Sequence, residues 1–125
     1  MSKKQVKEMP PPELREFFVE AAVRQGEATL SGDYKEGNEA FNLVNDAWYE
    51  MNDRGAACDL LSELLEHENV NVRLMAATRM LPIASKVAER VLKEISKGEG
   101  TIFPYHAKLI LEQWEKGESY PFQST

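Results

Sequence analysis

The chain has 125 residues, of which 42% are hydrophobic and 29% are charged, and its net charge at pH 7 is −6. This length and composition are typical of one soluble globular domain, and the negative charge argues against nucleic acid as a partner, because phosphates require cationic side chains. Its one cysteine excludes an internal disulfide. No apolar run approaches the roughly 18 residues of a membrane helix, and the N-terminus lacks the apolar stretch of a signal peptide. We therefore expect a cytoplasmic protein with no membrane partner.

The hydrophobic pattern predicts six helices and no strand. Residues 1–12 are polar and end in three prolines, which predicts a flexible, extended lead-in. A helical domain is expected over residues 13–117, followed by a C-terminal tail at 118–125. The helices are predicted over residues 12–30, 34–52, 56–67 and 70–81, then around 87–95 and 107–114.

The order of the helices predicts an all-α fold, a short α-solenoid of three antiparallel hairpins. Short connections make successive helices antiparallel neighbours. When the sequence is aligned with itself at an offset of 31 residues, Leu64 matches Ile95 and Ala76 matches Ala107. Such self-similarity is typical of helical repeats. The predicted core comprises Phe17, Phe18, Phe41, Val44, Trp48, Leu61, Leu64, Leu65, Val72, Ala76, Leu81, Val91, Leu92, Ile95, Leu111 and Trp114.

The stretch LLEHENVNVRLMAATRMLP, residues 64–82, has the local pattern of a helix packed closely on its neighbours. Val72 is expected to face the core, and the two small residues after it allow a close approach of helices. Arg73 is expected to place its guanidinium near helix-end carbonyls. Pro82 then stops the helix. This pattern resembles the second helix of a HEAT repeat.

Over most of its length the chain also resembles a small bacterial family of HEAT-like helical proteins that is catalogued only as a domain of unknown function. The residues that carry this resemblance are Gln25, Gly26, Glu27, His67, Val72, Arg73, Leu74, Ala76, Ala77 and Trp114. The resemblance implies a HEAT-like fold and no assigned chemistry. The family's usual small or proline residue after Asn69 is Val70 in this chain.

Candidate catalytic and metal-binding residues are few. Glu63 and His67 lie four apart, but a second Glu-x-x-His set is missing because Phe103 stands three residues before His106. His67 is more simply a cap that compensates a helix dipole. Cys58 has no glycine elbow or oxyanion loop near it and is expected to be a small core residue. The sequence therefore predicts no enzyme, no metal and no cofactor.

Charge is concentrated in the first half of the chain. Residues 13–53 carry ten acidic and three basic side chains, an excess of −7. On the second predicted helix the polar positions fall three or four apart and form one strip: Glu36, Glu39, Asn42, Asp46, Tyr49, Glu50 and Asp53. A HEAT-like stack would place this strip on the concave side, beside exposed positions of the fourth helix that include Arg79. Because Asp46 and Glu50 lie on the polar face, their reversal to lysine is expected to leave the fold intact.

Three classes of function compete on this evidence. The first is a protein-binding module, such as an immunity protein that covers the basic active-site surface of a bacterial nuclease toxin. The second is a general adaptor or scaffold, which would need an exposed apolar groove. The third is a nucleic-acid-processing HEAT protein, resembling the helical-repeat DNA glycosylases, which would need a basic concave face. The acidic strip favours the first class, and a merely solvated face is the alternative interpretation.

Overall fold

The structure is a computed structural model that describes residues 3–117, so the predicted tail at 118–125 lies outside the described residues. These residues contain seven α-helices, one 3-10 helix and no strand, which confirms the prediction of an all-helical chain. The α-helices are α1 (Lys3–Glu8), α2 (Pro11–Ser31), α3 (Tyr34–Asp53), α4 (Ala57–Ser62), α5 (Val70–Met80), α6 (Ser85–Ser96) and α7 (Phe103–Glu115). The 3-10 helix, Glu63–Glu66, follows α4 directly.

Helix α1 corrects the prediction of an extended lead-in. It packs against α3, and its Val6 and the following Met9 are 2% and 8% exposed. Arg54, at the end of α3, donates from Nη2 to the carbonyl oxygens of Val6 (3.0 Å) and Lys7 (3.3 Å). A cation at a helix C-terminus is favourable because it compensates the helix dipole. The polar composition concealed this helix, since only two apolar side chains anchor it.

Helices α2 and α3 form the most extensive helix pair of the described chain. Helix α2 ends at Ser31 and is followed by Gly32, whose φ of +80° suits glycine. Asp33 caps α3 by accepting a hydrogen bond from the Glu36 amide. Arg24 then joins the two helices, because its Nε and Nη2 donate to the two carboxylate oxygens of Glu36, each at 2.9 Å. The short turn and this ion pair fix α2 alongside α3.

The third predicted helix is divided in two. Helix α4 stops at Ser62, and the 3-10 helix continues to Glu66, where one continuous α-helix was expected. Leu60, Leu61, Leu64 and Leu65 are nevertheless all buried. Apolar residues spaced three and four apart fit either helix type, so the pattern predicted the buried face but not the change of geometry.

Helix α5 is in contact with α2, α4, the 3-10 helix, α6 and α7. Its first turn is capped by the Asn69 side chain, which accepts hydrogen bonds from the amides of Asn71 and Val72. Nη1 of Arg73 donates to the carbonyl oxygens of His67 (2.6 Å) and Glu68 (3.1 Å), which confirms the predicted role of this arginine. Val72, Ala76 and Ala77 are fully buried, so α5 occupies the centre of the packed helices.

The predicted core is confirmed at fourteen of its sixteen positions, and the exceptions, Phe41 and Trp114, are half-buried against it. The Trp114 indole donates from Nε1 to Oε1 of Glu89 at 3.1 Å. Cys58 is exposed in the first turn of α4, so its assignment to the core was wrong. A small side chain carries too little hydrophobic area to fix its position in a helix.

Candidate functional site

The predicted strip lies along α3, and the structure divides it into exposed and internally bonded members. We call its seven residues the α3 strip: Glu36, Glu39, Asn42, Asp46, Tyr49, Glu50 and Asp53. Glu39, Asn42 and Asp53 are exposed, and the other four are partly buried. Within residues 3–117, neither Glu39 nor Asp53 has an ion-pair partner. These two carboxylates are therefore available to another molecule.

Glu36 and Glu50 are already bound within the fold. Glu36 forms the ion pair with Arg24, and Glu50 accepts from Nε of Arg54 at 2.7 Å with only 11% of its side chain exposed. The ion pair with Arg54 argues against the expectation that reversal of Glu50 to lysine leaves the fold intact, and we now expect that variant to be destabilised. A lysine there would place two cations side by side and weaken the hold of Arg54 on α1. Tyr49 packs its ring against Trp48, with ring centroids 5.0 Å apart.

Arg79 is buried, with 1% exposure, and this corrects its predicted place on an exposed face of α5. Its Nη2 donates to Oδ1 of Asn45 at 2.6 Å, and its Nη1 donates to the Met75 carbonyl oxygen at 3.2 Å. The guanidinium carbon lies 5.5 Å from the ring centroid of Phe41, so a cation–π contact accompanies the hydrogen bonds. Sequence reasoning placed Arg79 outside because arginine is rarely fully buried. Its spacing of seven from the buried Val72 was the signal that it lies on the inner face.

The charge of Arg79 persists in this environment. Burial lowers the pKa of Arg79 to about 9, and the nearby Tyr49 opposes that shift. A group with a pKa of about 9 is protonated at neutral pH. The packed helices therefore hold a positive charge between α3 and α5.

Arg79 borders a groove of about 270 Å³ that is lined mainly by α5 and α7, with Phe41 of α3 and Gln25 of α2 completing it. We call this the α3–α5–α7 groove. Phe41, Met75, Leu109 and Ile110 supply apolar walls, and His106 and Gln113 of α7 add polar groups. This mixture of apolar walls and a few polar groups is typical of ligand and peptide sites. The sequence did not predict an apolar groove at this position.

Burial lowers the pKa of His106 below its ordinary value of 6.5, since the partly covered ring loses solvation when charged. The unfolded chain therefore binds more protons than the folded chain as the pH falls below about 6.5, so the free energy of unfolding decreases there. We expect the thermal midpoint to fall between pH 7.5 and 5.5, and His106→Gln to lose less stability over that interval. Melting curves of both proteins at the two pH values measure the difference. Equal losses would contradict the assignment.

A buried cluster joins α2 to α5 beside this groove, and sequence reasoning missed its central residue, Asn71. Nδ2 of Asn71 donates to the Ala22 carbonyl oxygen and to Oε1 of Gln25, both at 2.7 Å. Gly26 faces the same amide, and a Cβ atom built on it would lie 2.9 Å from the Cβ of Asn71. The cluster gives a packing reason for Gln25 and Gly26, two of the residues that carry the family resemblance.

The remaining candidates for chemistry are separate from one another. The His67 ring does not act as the predicted charged cap, because its Nδ1 accepts a hydrogen bond from the Asn69 amide at 3.0 Å. Cys58 has Ser62 near its thiol, at 3.9 Å. Across residues 3–117, no group of three His, Cys, Asp or Glu side chains is placed to hold a metal ion. Along the same residues no helix has both the length and the apolar character needed to cross a bilayer.

The helices and the groove define an all-helical domain, and comparison with known proteins gives its family. A family model described as "Domain of unknown function (DUF2019)" matches residues 12–115, and the chain belongs to that family. The chain is also similar to a solved structure, the "Crystal Structure of the Protein RPA1889 from Rhodopseudomonas palustris CGA009". The two share 26% sequence identity with a TM-score of 0.83, over 93% of this chain and 97% of that one. No curated protein matches the chain.

Proposed function

We propose that this chain is a non-catalytic cytoplasmic module that binds a basic surface of another protein through its α3 strip. The observation that carries the proposal is that Glu39 and Asp53 are exposed on one helix without an ion-pair partner among the described residues. Exposed charge of one sign accelerates encounter with a partner of opposite charge and selects against partners of the same charge.

The architecture we propose for this module is a HEAT-like stack of three hairpins. Contacts between α2 and α3, between α5 and the α4 segment, and between α6 and α7 support this pairing. In such a stack the second helix of each pair is α3, α5 or α7; α5 and α7 supply most of the groove lining, and α3 contributes Phe41. The α3 strip then lies on the first hairpin, beside the groove.

A nuclease toxin is the partner class that we favour, and the chain would act as its immunity protein. An active site that grips RNA or DNA needs cationic side chains around it, because nucleic-acid phosphates are neutralised by lysine and arginine. A negatively charged helical surface could cover such a site. The negative excess of residues 13–53 supports this partner class, whereas the family description assigns no activity.

The test is reversal of the exposed carboxylates. In the double variant Glu39→Lys/Asp53→Lys, association with the purified product of the neighbouring gene is expected to slow roughly tenfold at low salt, and to depend less on salt. The matched control is Glu94→Lys/Glu112→Lys, which changes the net charge equally at exposed positions of α6 and α7. Binding kinetics at low and high salt measure both effects. If the two double variants bind alike, the α3 strip is not the interface.

A second candidate function is that of a general adaptor, and the exposed apolar face of α7 favours it. Tyr105 and Leu109 of α7 lie one turn apart with 55% and 38% exposure, and Ile102, just before the helix, is 40% exposed. An apolar surface of this kind marks interaction sites on soluble proteins when it is contiguous. The same kinetic experiment with Tyr105→Ala separates the candidates, because an adaptor that uses α7 loses binding in this variant and not in the charge reversal.

A further inference from the structure

We propose that the α3–α5–α7 groove binds a small amphipathic carboxylate, with its apolar chain along the groove walls and its anionic group toward Arg79, His106 and Gln113. This site is separate from the exposed carboxylates of the α3 strip, and it does not depend on the function proposed for them. The argument rests on the size of the groove, its polar groups and the sign of its charge.

The size of the groove sets the size of the ligand. Its volume is about 270 Å³. An apolar cavity of about 150 Å³ accommodates benzene, so this groove has room for about ten non-hydrogen atoms. Its walls, formed by Phe41, Met75, Leu109 and Ile110, favour a hydrocarbon chain rather than a sugar or a nucleotide.

Polar groups available to a ligand are present on the α7 side. The side chains of His106 and Gln113 line the groove, and within the described part of the chain neither makes a hydrogen bond. The lowered pKa of His106 keeps the ring neutral at neutral pH, so it presents an N–H donor without a second positive charge. The amide of Gln113 supplies further donors. Both side chains are suited to donate to an oxygen.

The sign of the charge selects an anion over a cation. Arg79 brings a buried positive charge to the groove, and no aspartate or glutamate is among the described residues that line it. Attraction between a carboxylate and this guanidinium is strengthened by the surrounding apolar side chains, since they lower the local dielectric constant. Because Arg79 carries one positive charge, its long-range attraction suits a singly charged group, whereas a doubly charged phosphate would need further cations.

The first experiment uses three probes of equal chain length on the wild-type protein: octanoate, octanamide and octylammonium. Backbone amide shifts in NMR spectra report both the affinity and the location of binding. We expect octanoate to saturate shifts in α5 and α7 with an affinity about tenfold higher than that of octanamide, and octylammonium to be the weakest of the three. No saturable shift with octanoate, shifts outside the groove, or equal affinity for octylammonium would each overturn the proposal.

The second experiment assigns the charge to Arg79. In Arg79→Met the affinity for octanoate is expected to fall about tenfold, to that of octanamide, while octanamide binds as before. Lys108→Met is the matched control, because it removes an exposed cation of α7 that does not line the groove. An equal loss in both variants would show that net charge and not Arg79 governs binding. Should Arg79→Met not fold, the ranking of the three probes on the wild type still decides the proposal.

Discussion

Replacement of Arg79 by alanine is expected to lower the free energy of unfolding by about 3 kcal/mol, whereas replacement by methionine is expected to cost less than about 1 kcal/mol. Arg79 is the largest fully buried side chain of the described residues. Alanine would leave a cavity between α5 and α3 and remove the donor that Asn45 accepts from at 2.6 Å. Methionine fills most of that space with an unbranched side chain and removes the cost of keeping a charge out of water.

Urea unfolding of the wild type and the two variants measures these changes, with Lys108→Ala as the control at an exposed position. If methionine destabilises the protein as much as alanine does, the guanidinium itself holds α3 on α5 through Asn45 and Phe41. If methionine is tolerated, stability does not explain why the chain has an arginine at this position. A role in the groove then remains as the explanation, and the octanoate experiment addresses that role directly.

Gly26→Ala is expected to destabilise the domain by about 2 kcal/mol, although alanine is the better helix former by about 1 kcal/mol. The new Cβ atom would lie 2.9 Å from Cβ of Asn71, closer than Cβ atoms come to unbonded neighbours, and 3.1 Å from its Nδ2, a tight contact. Asn71 would have to move and lose its hydrogen bonds to Ala22 and Gln25. Chemical denaturation provides the measurement.

Gly37→Ala is the matched control, because a Cβ atom on this helical glycine would lie 3.5 Å from the Cβ of Ala28, an ordinary contact. That variant is expected to be neutral or more stable by up to about 1 kcal/mol. In an Asn71→Gly background the penalty of Gly26→Ala should shrink, since the atoms that it meets are gone. A penalty that is unchanged in this background would place the strain of Gly26→Ala elsewhere.

The charged residues of α3 show how a helical pattern can predict a face and still misjudge its members. The spacing of Glu36, Glu39, Glu50 and Asp53 placed them on one polar side of the helix. Whether each carboxylate is available to a partner depends on residues distant in sequence. Arg24 of α2 binds Glu36, and Arg54, which binds Glu50, also donates to a carbonyl oxygen of α1. A design that reverses every acidic position of the strip would therefore disturb the fold together with the surface.

The helical class, most helix boundaries and nearly all of the core follow from the periodicity of apolar residues, because apolar residues three and four apart define a buried face without reference to distant contacts. The sequence also predicted that Arg73 binds nearby carbonyl oxygens, which lie only five and six residues away. The burial of Arg79, the close approach of Gly26 to Asn71, the docking of α1 and the α3–α5–α7 groove could not be predicted from that periodicity. Each of these four features depends on residues 34 to 49 positions apart or on several helices that meet. Helical periodicity carries no information about which helix faces pack together.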